Sequence, residues 1–131
     1  MRLLLDTHIW IWAVLEPHKL GVKLRRQLAI PNHEIYLSPI SLWEAHLLVR
    51  KSRFRINGTF HNWLEQAASQ MPFIEAPFNM DVAKEACAIT LEQSDPGDLF
   101  IAATAIAYDL TLATADPQLL ALRRVKTIGN V

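Results

Sequence analysis

Short apolar runs alternate with longer stretches of helical periodicity along the whole chain. Leu3-Leu4-Leu5 and Leu112-Ala113 are apolar on consecutive positions, and a polar residue follows each run soon afterwards. A short continuous apolar run between helical segments is typical of a parallel strand that helices cover on both faces. We therefore predict strands over residues 2–5, 35–37, 73–75, 112–114 and 127–128.

The segments between these strands have the spacing of amphipathic helices. Three of them begin with a capping residue followed by proline, in Ser38-Pro39, Asp95-Pro96 and Asp116-Pro117. A side-chain oxygen at the cap and proline in the first turn both favour a helix start. We predict helices over residues 7–15, 20–29, 39–51, 59–70, 79–91 and 95–108, and a short one from residue 116.

Strands that alternate with helices predict parallel pairing through right-handed crossovers. The expected fold class is α/β, a three-layer α/β/α sandwich whose central parallel sheet has four or five strands. No linker, repeat or low-complexity segment divides the 131 residues, so we expect one domain over residues 1–131. Ligands of such sheets bind outside the carboxyl ends of the strands.

Composition narrows the class of protein further. The single cysteine, Cys87, excludes an internal disulfide framework and suits a reducing compartment. The first apolar run ends at Asp6, too soon for a secretory signal, and no stretch is long enough to span a bilayer. We therefore expect a cytoplasmic protein without a membrane partner.

The distribution of basic residues along the chain is more informative than the net charge. Thirteen basic and thirteen acidic side chains cancel, so the chain lacks the overall positive charge of a general nucleic-acid binder. Its cations nevertheless cluster, as solvated patches or as phosphate contacts. The two clusters are Arg50, Lys51, Arg53 and Arg55, and then Arg123, Arg124 and Lys126.

Four carboxylates fall at the predicted carboxyl edge of the sheet. Asp6 ends the first strand, and Asp116 lies two residues beyond the fourth. Glu44 lies on the helix after the second strand, and Asp98 in the first turn of the helix that begins at Asp95. Because parallel strands end at one edge, all four should lie near each other.

Each of these acids also has a purely structural interpretation. Asp6 and Asp116 are suitable helix caps, and acids in a first turn interact favourably with the helix dipole. Ser41 to Glu44 fits a capping box, and the pair Asp95 and Asp98 resembles one. Both interpretations stay open for each residue taken singly.

Taken together, the carboxylates indicate a metal site. Several carboxylates in a partly desolvated cleft repel one another unless a cation or protons compensate them. Oxygen ligands select Mg²⁺ or Mn²⁺ rather than zinc. Such an ion activates a water molecule as a nucleophile towards a phosphodiester, so the pattern predicts phosphodiester hydrolysis.

The same residues resemble the PIN-domain family, and within it the VapC-type toxins. The matching segments are Leu4-Leu5-Asp6-Thr7-His8, Ser41-Leu42-Trp43-Glu44-Ala45, residues 95–105 from Asp95-Pro96-Gly97-Asp98 to Ala105, and Leu110 to Asp116. The resemblance covers essentially the whole chain. It implies that Asp6, Glu44, Asp98 and Asp116 form the family's acidic quartet.

The resemblance also implies roles within the site. Asp6 and Asp98 would bind the Mg²⁺ or Mn²⁺ ion most directly, and Glu44 and Asp116 would bind it directly or through water. The remaining assignments are supporting ones: Thr7 and Thr114 would orient carboxylates, and Asp95 would cap its helix with a supporting role at the rim.

The activity implied is that of a metal-dependent endoribonuclease, a toxin that a cognate antitoxin neutralises. RNA would be the substrate, and a homodimer would be expected. Two positions depart from the pattern, since Leu99 and Ala115 stand where such toxins often carry a basic or polar residue.

Three other functions would use some of the same residues. A phosphohydrolase with Asp6 as its nucleophile generally has a second aspartate two residues later, where this chain has His8. A receiver-like module would need an acidic pair and a suitably placed lysine, and neither is evident. A catalytically weak PIN-like module that binds RNA or a partner is the remaining alternative. His8 and His46 are assigned no role.

Overall fold

A computed structural model describes residues 1–91 and 95–131 of the chain. Five strands form one sheet in the order β3-β2-β1-β4-β5, and every pairing is parallel. The strands are β1 (Arg2–Leu5), β2 (Glu34–Leu37), β3 (Ile74–Glu75), β4 (Thr111–Thr114) and β5 (Thr127–Gly129). The predicted parallel sheet is therefore confirmed, with five strands.

Helices connect the strands in the predicted alternation. In chain order they are α1 (Thr7–Leu15), α2 (Val22–Leu28), α3 (Pro39–Arg50), α4 (Phe60–Gln70), α5 (Met80–Cys87), α6 (Pro96–Ala107) and α7 (Pro117–Leu120). A 3₁₀ turn, Pro17–Lys19, joins α1 to α2. Ser38, Asp95 and Asp116 cap α3, α6 and α7 through their side-chain oxygens, and proline follows each of them, as predicted.

The two central strands, β1 and β4, are buried on both faces, which produces the three predicted layers. Alternate side chains of β1 enter opposite cores: Leu3 and Leu5 pack with α1, α2 and α4, whereas Leu4 packs with α6 and α7. The first core is centred on the fully buried Trp10, and the second on Ile101. Both strong apolar runs of the sequence are thus explained by two-sided burial.

The strand order creates a crevice at the carboxyl edge of the sheet. The chain moves from β1 to β2 on one side and returns to pair β4 with the other side of β1. Such a switch in direction separates the connections that leave β1 and β4, and ligands of open α/β sheets bind there. Asp6 leaves β1 and Ala115 leaves β4 at this point.

Three local predictions differ from the structure. The helix predicted over residues 20–29 spans Val22–Leu28, because Leu20 is extended and buried and Gly21 is the cap. The helix predicted to residue 91 ends at Cys87, where Ala88 closes it. The capping box from Ser41 to Glu44 is wrong, since α3 already begins at Pro39 and Ser41 lies buried inside it. No helix in residues 1–91 and 95–131 has the length and apolarity to cross a membrane.

Candidate active site

Asp6 lies at the centre of the crevice and is almost completely buried. Its backbone N–H still pairs with Ala113 of β4, at 3.0 Å, so the end of the sheet fixes the residue. Its Oδ1 accepts a 2.8 Å hydrogen bond from the Thr7 N–H, and its Oδ2 accepts one of 2.7 Å from the Thr114 hydroxyl. These two donors fix the orientation of the carboxylate plane.

Glu44 reaches the same crevice from α3. The Thr7 hydroxyl donates a 2.6 Å hydrogen bond to Glu44 Oε1, and Thr7 Oγ1 also lies 2.9 Å from Ser41 Oγ. Ser41 and Glu44 are three positions apart on α3, which brings both side chains to the face that meets α1. Thr7 thus joins Asp6 to Glu44, through its backbone on one side and its hydroxyl on the other.

The first turn of α6 supplies two more carboxylates. Asp95 caps the helix by accepting a 3.2 Å hydrogen bond at Oδ1 from the Asp98 N–H. Gly97 lies between these two acids, directly against the Glu44 carboxylate. One carboxylate oxygen from each of Glu44, Asp95 and Asp98 lies within 4.8 Å of the others.

Asp116 completes the acidic group from the far side of β4. Its side chain caps α7 by accepting a 2.9 Å hydrogen bond from the Gln118 N–H. Its own backbone N–H donates to Thr114 Oγ1 at 3.0 Å. Because the Thr114 hydroxyl in turn donates to Asp6, a continuous chain of hydrogen bonds runs from Asp116 to Asp6.

The electrostatics of the site are those of crowded negative charge. Desolvation raises the pKa of Asp98 to about 7, and the charges of Asp6, Asp95, Asp116 and Glu44 add to the effect. Desolvation also raises the pKa of Asp6, against the opposing hydrogen bonds from Thr114 and Thr7. It raises the pKa of Glu44 in the same way, despite the Thr7 hydrogen bond. These carboxylates therefore repel one another, and a cation among them would relieve the repulsion.

These residues fit a hard divalent cation. The donors in the cluster are carboxylate oxygens with no cysteine among them, which is the ligand set that Mg²⁺ and Mn²⁺ prefer. Two of the carboxylates are oriented by hydroxyl donors from neighbouring elements, as is usual around metal ligands.

The carboxylates form the floor of a pocket of about 430 Å³. One wall is apolar and consists of Trp12, Leu47 and Leu48. Lys51 and His8 also line the pocket, and His8 makes an edge-on contact with Trp12 at 5.7 Å between ring centroids. His46 instead makes a tilted ring contact with Trp43 and an edge-on contact with Phe60, and it lines a neighbouring cavity.

Six of the seven predicted site residues line the pocket, and Thr114 lies beneath it, hydrogen-bonded to Asp6. Of the four predicted ligands, Glu44 and Asp98 share the compact carboxylate group with Asp95, whereas Asp6 and Asp116 line the pocket outside that group. Three features were not predicted from the sequence. Asp95 belongs to the carboxylate cluster itself, Ser41 lies beside Thr7, and Gly97 permits the contact between α3 and α6. The Pro-Gly pair before Asp98 was the one available signal for the last of these.

Comparisons with known proteins give a family match and a similar ribonuclease. The model of the PIN domain matches residues 3–126. Ribonuclease VapC22 of Mycobacterium tuberculosis is 27% identical in an alignment of 128 positions that covers 95% of this chain and 95% of that protein.

Solved structures provide two further matches. FitAcB from Neisseria gonorrhoeae is 26% identical, with a TM-score of 0.65 and 96% of each chain covered. VapBC-5 of Mycobacterium tuberculosis, from the VapBC family of toxin–antitoxin systems, is 20% identical with a TM-score of 0.63 over 98% of each chain. The latter similarity concerns the fold.

Proposed function

The chain belongs to the PIN domain family, and on that premise we propose that it is an endoribonuclease dependent on Mg²⁺ or Mn²⁺. The observation that carries this proposal is the convergence of Asp6, Glu44, Asp95 and Asp98 in one pocket at the carboxyl edge of the sheet. The similarity to a protein named as a ribonuclease favours RNA as the substrate. The activity belongs to one domain over residues 1–131, acting in the cytoplasm.

In this proposal the acidic quartet holds the cation. Asp6 and Asp98 bind it most directly, while Glu44 and Asp116 contribute directly or through water. A cation held by these carboxylates would supply neutralisation of the phosphate charge and an activated water molecule as the nucleophile. Carboxylate oxygens bind both Mg²⁺ and Mn²⁺, so the donor set does not select one ion over the other. Titration of the purified protein with each ion measures which of them binds more tightly.

Thr7 and Thr114 orient the carboxylates before a cation binds. Thr114 and the Thr7 N–H hold both oxygens of Asp6, so the carboxylate loses little orientational freedom when a ligand binds. The Thr7 hydroxyl orients the Glu44 carboxylate by donating a hydrogen bond to one of its oxygens. Preorganised ligands lower the free-energy cost of assembling the charged site, and their hydrogen bonds partly offset the rise in pKa that desolvation causes.

Regulation by an antitoxin is the second part of the proposal. Among structurally similar proteins, one belongs to a family of toxin–antitoxin systems and another is a toxin–antitoxin complex. A cognate antitoxin would cover the pocket and insert a basic side chain among the carboxylates. That pairing is favourable because the carboxylates otherwise repel one another. We also expect the toxin to form a homodimer.

The test is cleavage of total RNA by the purified protein with Mg²⁺, with Mn²⁺ and with EDTA. Asp6→Ala and Asp98→Ala variants should lose cleavage while keeping the fold. Asp81→Ala is the matched control, because Asp81 is an exposed aspartate in the first turn of α5, outside the pocket.

Discrete fragments that require the metal and both site aspartates would support the proposal. Full cleavage by Asp6→Ala would overturn the assignment of that residue. Absence of cleavage by a folded, metal-binding protein over a range of RNA substrates would instead support a binding module.

A further inference from the structure

The last residue of α3 and the loop that follows it form a basic surface next to the pocket. It carries Arg50, Lys51, Arg53 and Arg55 within six positions, and all four are exposed. None of the four pairs with a carboxylate within residues 1–91 and 95–131. We call residues 50–55 the basic loop.

Cations on other surfaces are often neutralised. Lys19, Arg124 and Lys126 each form an ion pair at 2.8–2.9 Å, and Arg2 lies near Glu34. The overall charge of zero therefore conceals an unevenness. Of the nine cations outside the basic loop, these four are paired, whereas all four cations of the basic loop are unpaired among the described residues. Lys23, Arg25 and Arg26 of α2 form a second such unpaired group, but none of them lines the acidic pocket, whereas Lys51 does.

The basic loop continues directly from the pocket. Lys51 is part of the pocket lining, beside Leu47 and Leu48 of α3. Arg53 and Arg55 line an adjoining cavity with Phe54. The Phe54 ring lies 6.1 Å from the ring of His8, which itself lines the pocket. A bound polymer that extends from the carboxylates towards the basic loop would therefore contact Lys51 first and then Arg53 and Arg55.

The backbone of the basic loop is fixed in position. The N–H groups of Lys51, Ser52 and Arg53 donate to carbonyls of the last turn of α3, at 3.0, 3.0 and 2.9 Å. Ser52 has a φ of +58°, which reverses the chain at the end of the helix. Phe54 anchors the other side by packing into the first core. The cations are thus presented on a rigid support, which limits the entropy lost when they bind.

We propose that the basic loop binds the sugar–phosphate backbone of single-stranded RNA on one side of the cleaved phosphate, with Lys51, Arg53 and Arg55 contacting successive phosphates. This inference rests on the proposed function, since it names the path of the substrate into that site. Unpaired cations beside an aromatic pocket wall are typical of surfaces that bind single strands. Duplex RNA would bind less well, because its stacked bases cannot reach Trp12 on that wall.

The test compares two triple substitutions with equal loss of charge. Lys51→Gln, Arg53→Gln and Arg55→Gln neutralise the basic loop. Lys23→Gln, Arg25→Gln and Arg26→Gln neutralise three exposed cations of α2, which also lack carboxylate partners among the described residues. Both sets are made in the Asp6→Ala background, so that the RNA stays intact. Binding of a fluorescein-labelled single-stranded RNA is measured with Mg²⁺ from about 50 to about 200 mM salt.

We expect the loop substitutions to weaken RNA binding by about tenfold or more. The slope of log K against log salt should fall by about 2, since each lost phosphate contact contributes about 0.7 on a single strand. The α2 substitutions should change the dissociation constant less than twofold. Circular dichroism and thermal unfolding establish that both variants fold.

Equal weakening by both sets, or no change in the salt slope for the loop set, would overturn the proposal. A further outcome assigns the loop elsewhere: unchanged RNA binding with loss of antitoxin binding would make it a protein-binding surface. Cleavage by the otherwise native protein separates the two hypotheses. If that protein cuts RNA and the loop variant cuts equally well, only the loop proposal fails. If it neither binds nor cuts RNA, the proposed function fails with it.

Discussion

Gly97 of α6 lies against the carboxylate of Glu44 on α3, and a side chain at this position has no room. A β-carbon there would overlap Glu44 Oε2, lie 2.8 Å from Glu44 Cδ, and lie 2.9 Å from Asp95 Oδ1. The contact allows the carboxylates of two different helices to lie within one ligand shell. Gly97 is therefore a positioning residue for the cation site, although it offers no ligand itself.

Gly97→Ala should weaken Mn²⁺ binding by about tenfold, in the range found when residues that position metal ligands are changed. The added methyl group displaces the Glu44 carboxylate, whereas alanine is a better helix former than glycine, so thermal stability should not fall. Calorimetric titration measures the affinity. Gly129→Ala is the matched control, because the nearest atom to a β-carbon there is 3.9 Å away.

The effect of Gly97→Ala should be smaller when Glu44 is already removed. In the Glu44→Ala background only the Asp95 carboxylate remains close to the added methyl group, so the second substitution should cause a smaller loss of affinity than it causes in the native protein. An equal loss in both backgrounds would show that Gly97 acts through the fold of α6 and not through Glu44.

Most of the fold could be predicted because local signals agreed with each other. The apolar runs at Leu3 and Leu112 and the cap–proline pairs at Ser38 and Asp95 each mark an element within a few residues. The close approach of α3 to α6 could not be predicted in this way, because it depends on packing between segments that are distant in sequence. For the same reason, Asp95 was interpreted as a cap with a supporting role at the rim, and its place in the carboxylate cluster was missed.

The metal-free protein should lose stability as the pH rises from about 5 to about 8. The folded state raises the pKa of Asp98 from 3.8 to about 7, so between these values it holds a proton that the unfolded chain has released. Stability therefore falls as the pH rises through this window. Because Asp98 is partly exposed and solvent-screened, we expect a difference on the order of 1 kcal/mol.

Urea unfolding of EDTA-treated protein at the two pH values measures this difference. Asp98→Asn lacks the titrating group and serves as the reference, and it should show a smaller decrease in stability. Identical pH dependence in the two proteins would contradict the assignment of the raised pKa to Asp98.

Thr114→Val should impair both stability and activity. The buried hydroxyl donates to Asp6 at 2.7 Å and accepts from the Asp116 N–H at 3.0 Å, and valine replaces its shape but neither hydrogen bond. We expect a loss of about 1–3 kcal/mol in unfolding free energy and of about 10- to 100-fold in RNA cleavage.

Thr114→Ser tests whether the hydroxyl or the methyl group matters, because it retains both hydrogen bonds. It should keep most of the cleavage activity. Near-native cleavage by Thr114→Val would mean that Asp6 needs no orienting donor from β4.

Asp95→Asn separates the two roles that the structure gives to one carboxylate. Asparagine caps helices about as well as aspartate, so the start of α6 and the thermal stability should be preserved. The substitution nevertheless removes a charge from the cluster with Glu44 and Asp98, and this charge is among those that raise the pKa of Asp98. We expect Mn²⁺ affinity to fall by about tenfold and the Asp98 pKa to move back towards its ordinary value.

Asp95→Ala loses the cap as well and should cost a further ~1 kcal/mol of stability. Unchanged affinity in Asp95→Asn would restrict Asp95 to capping and leave the cation to the other carboxylates.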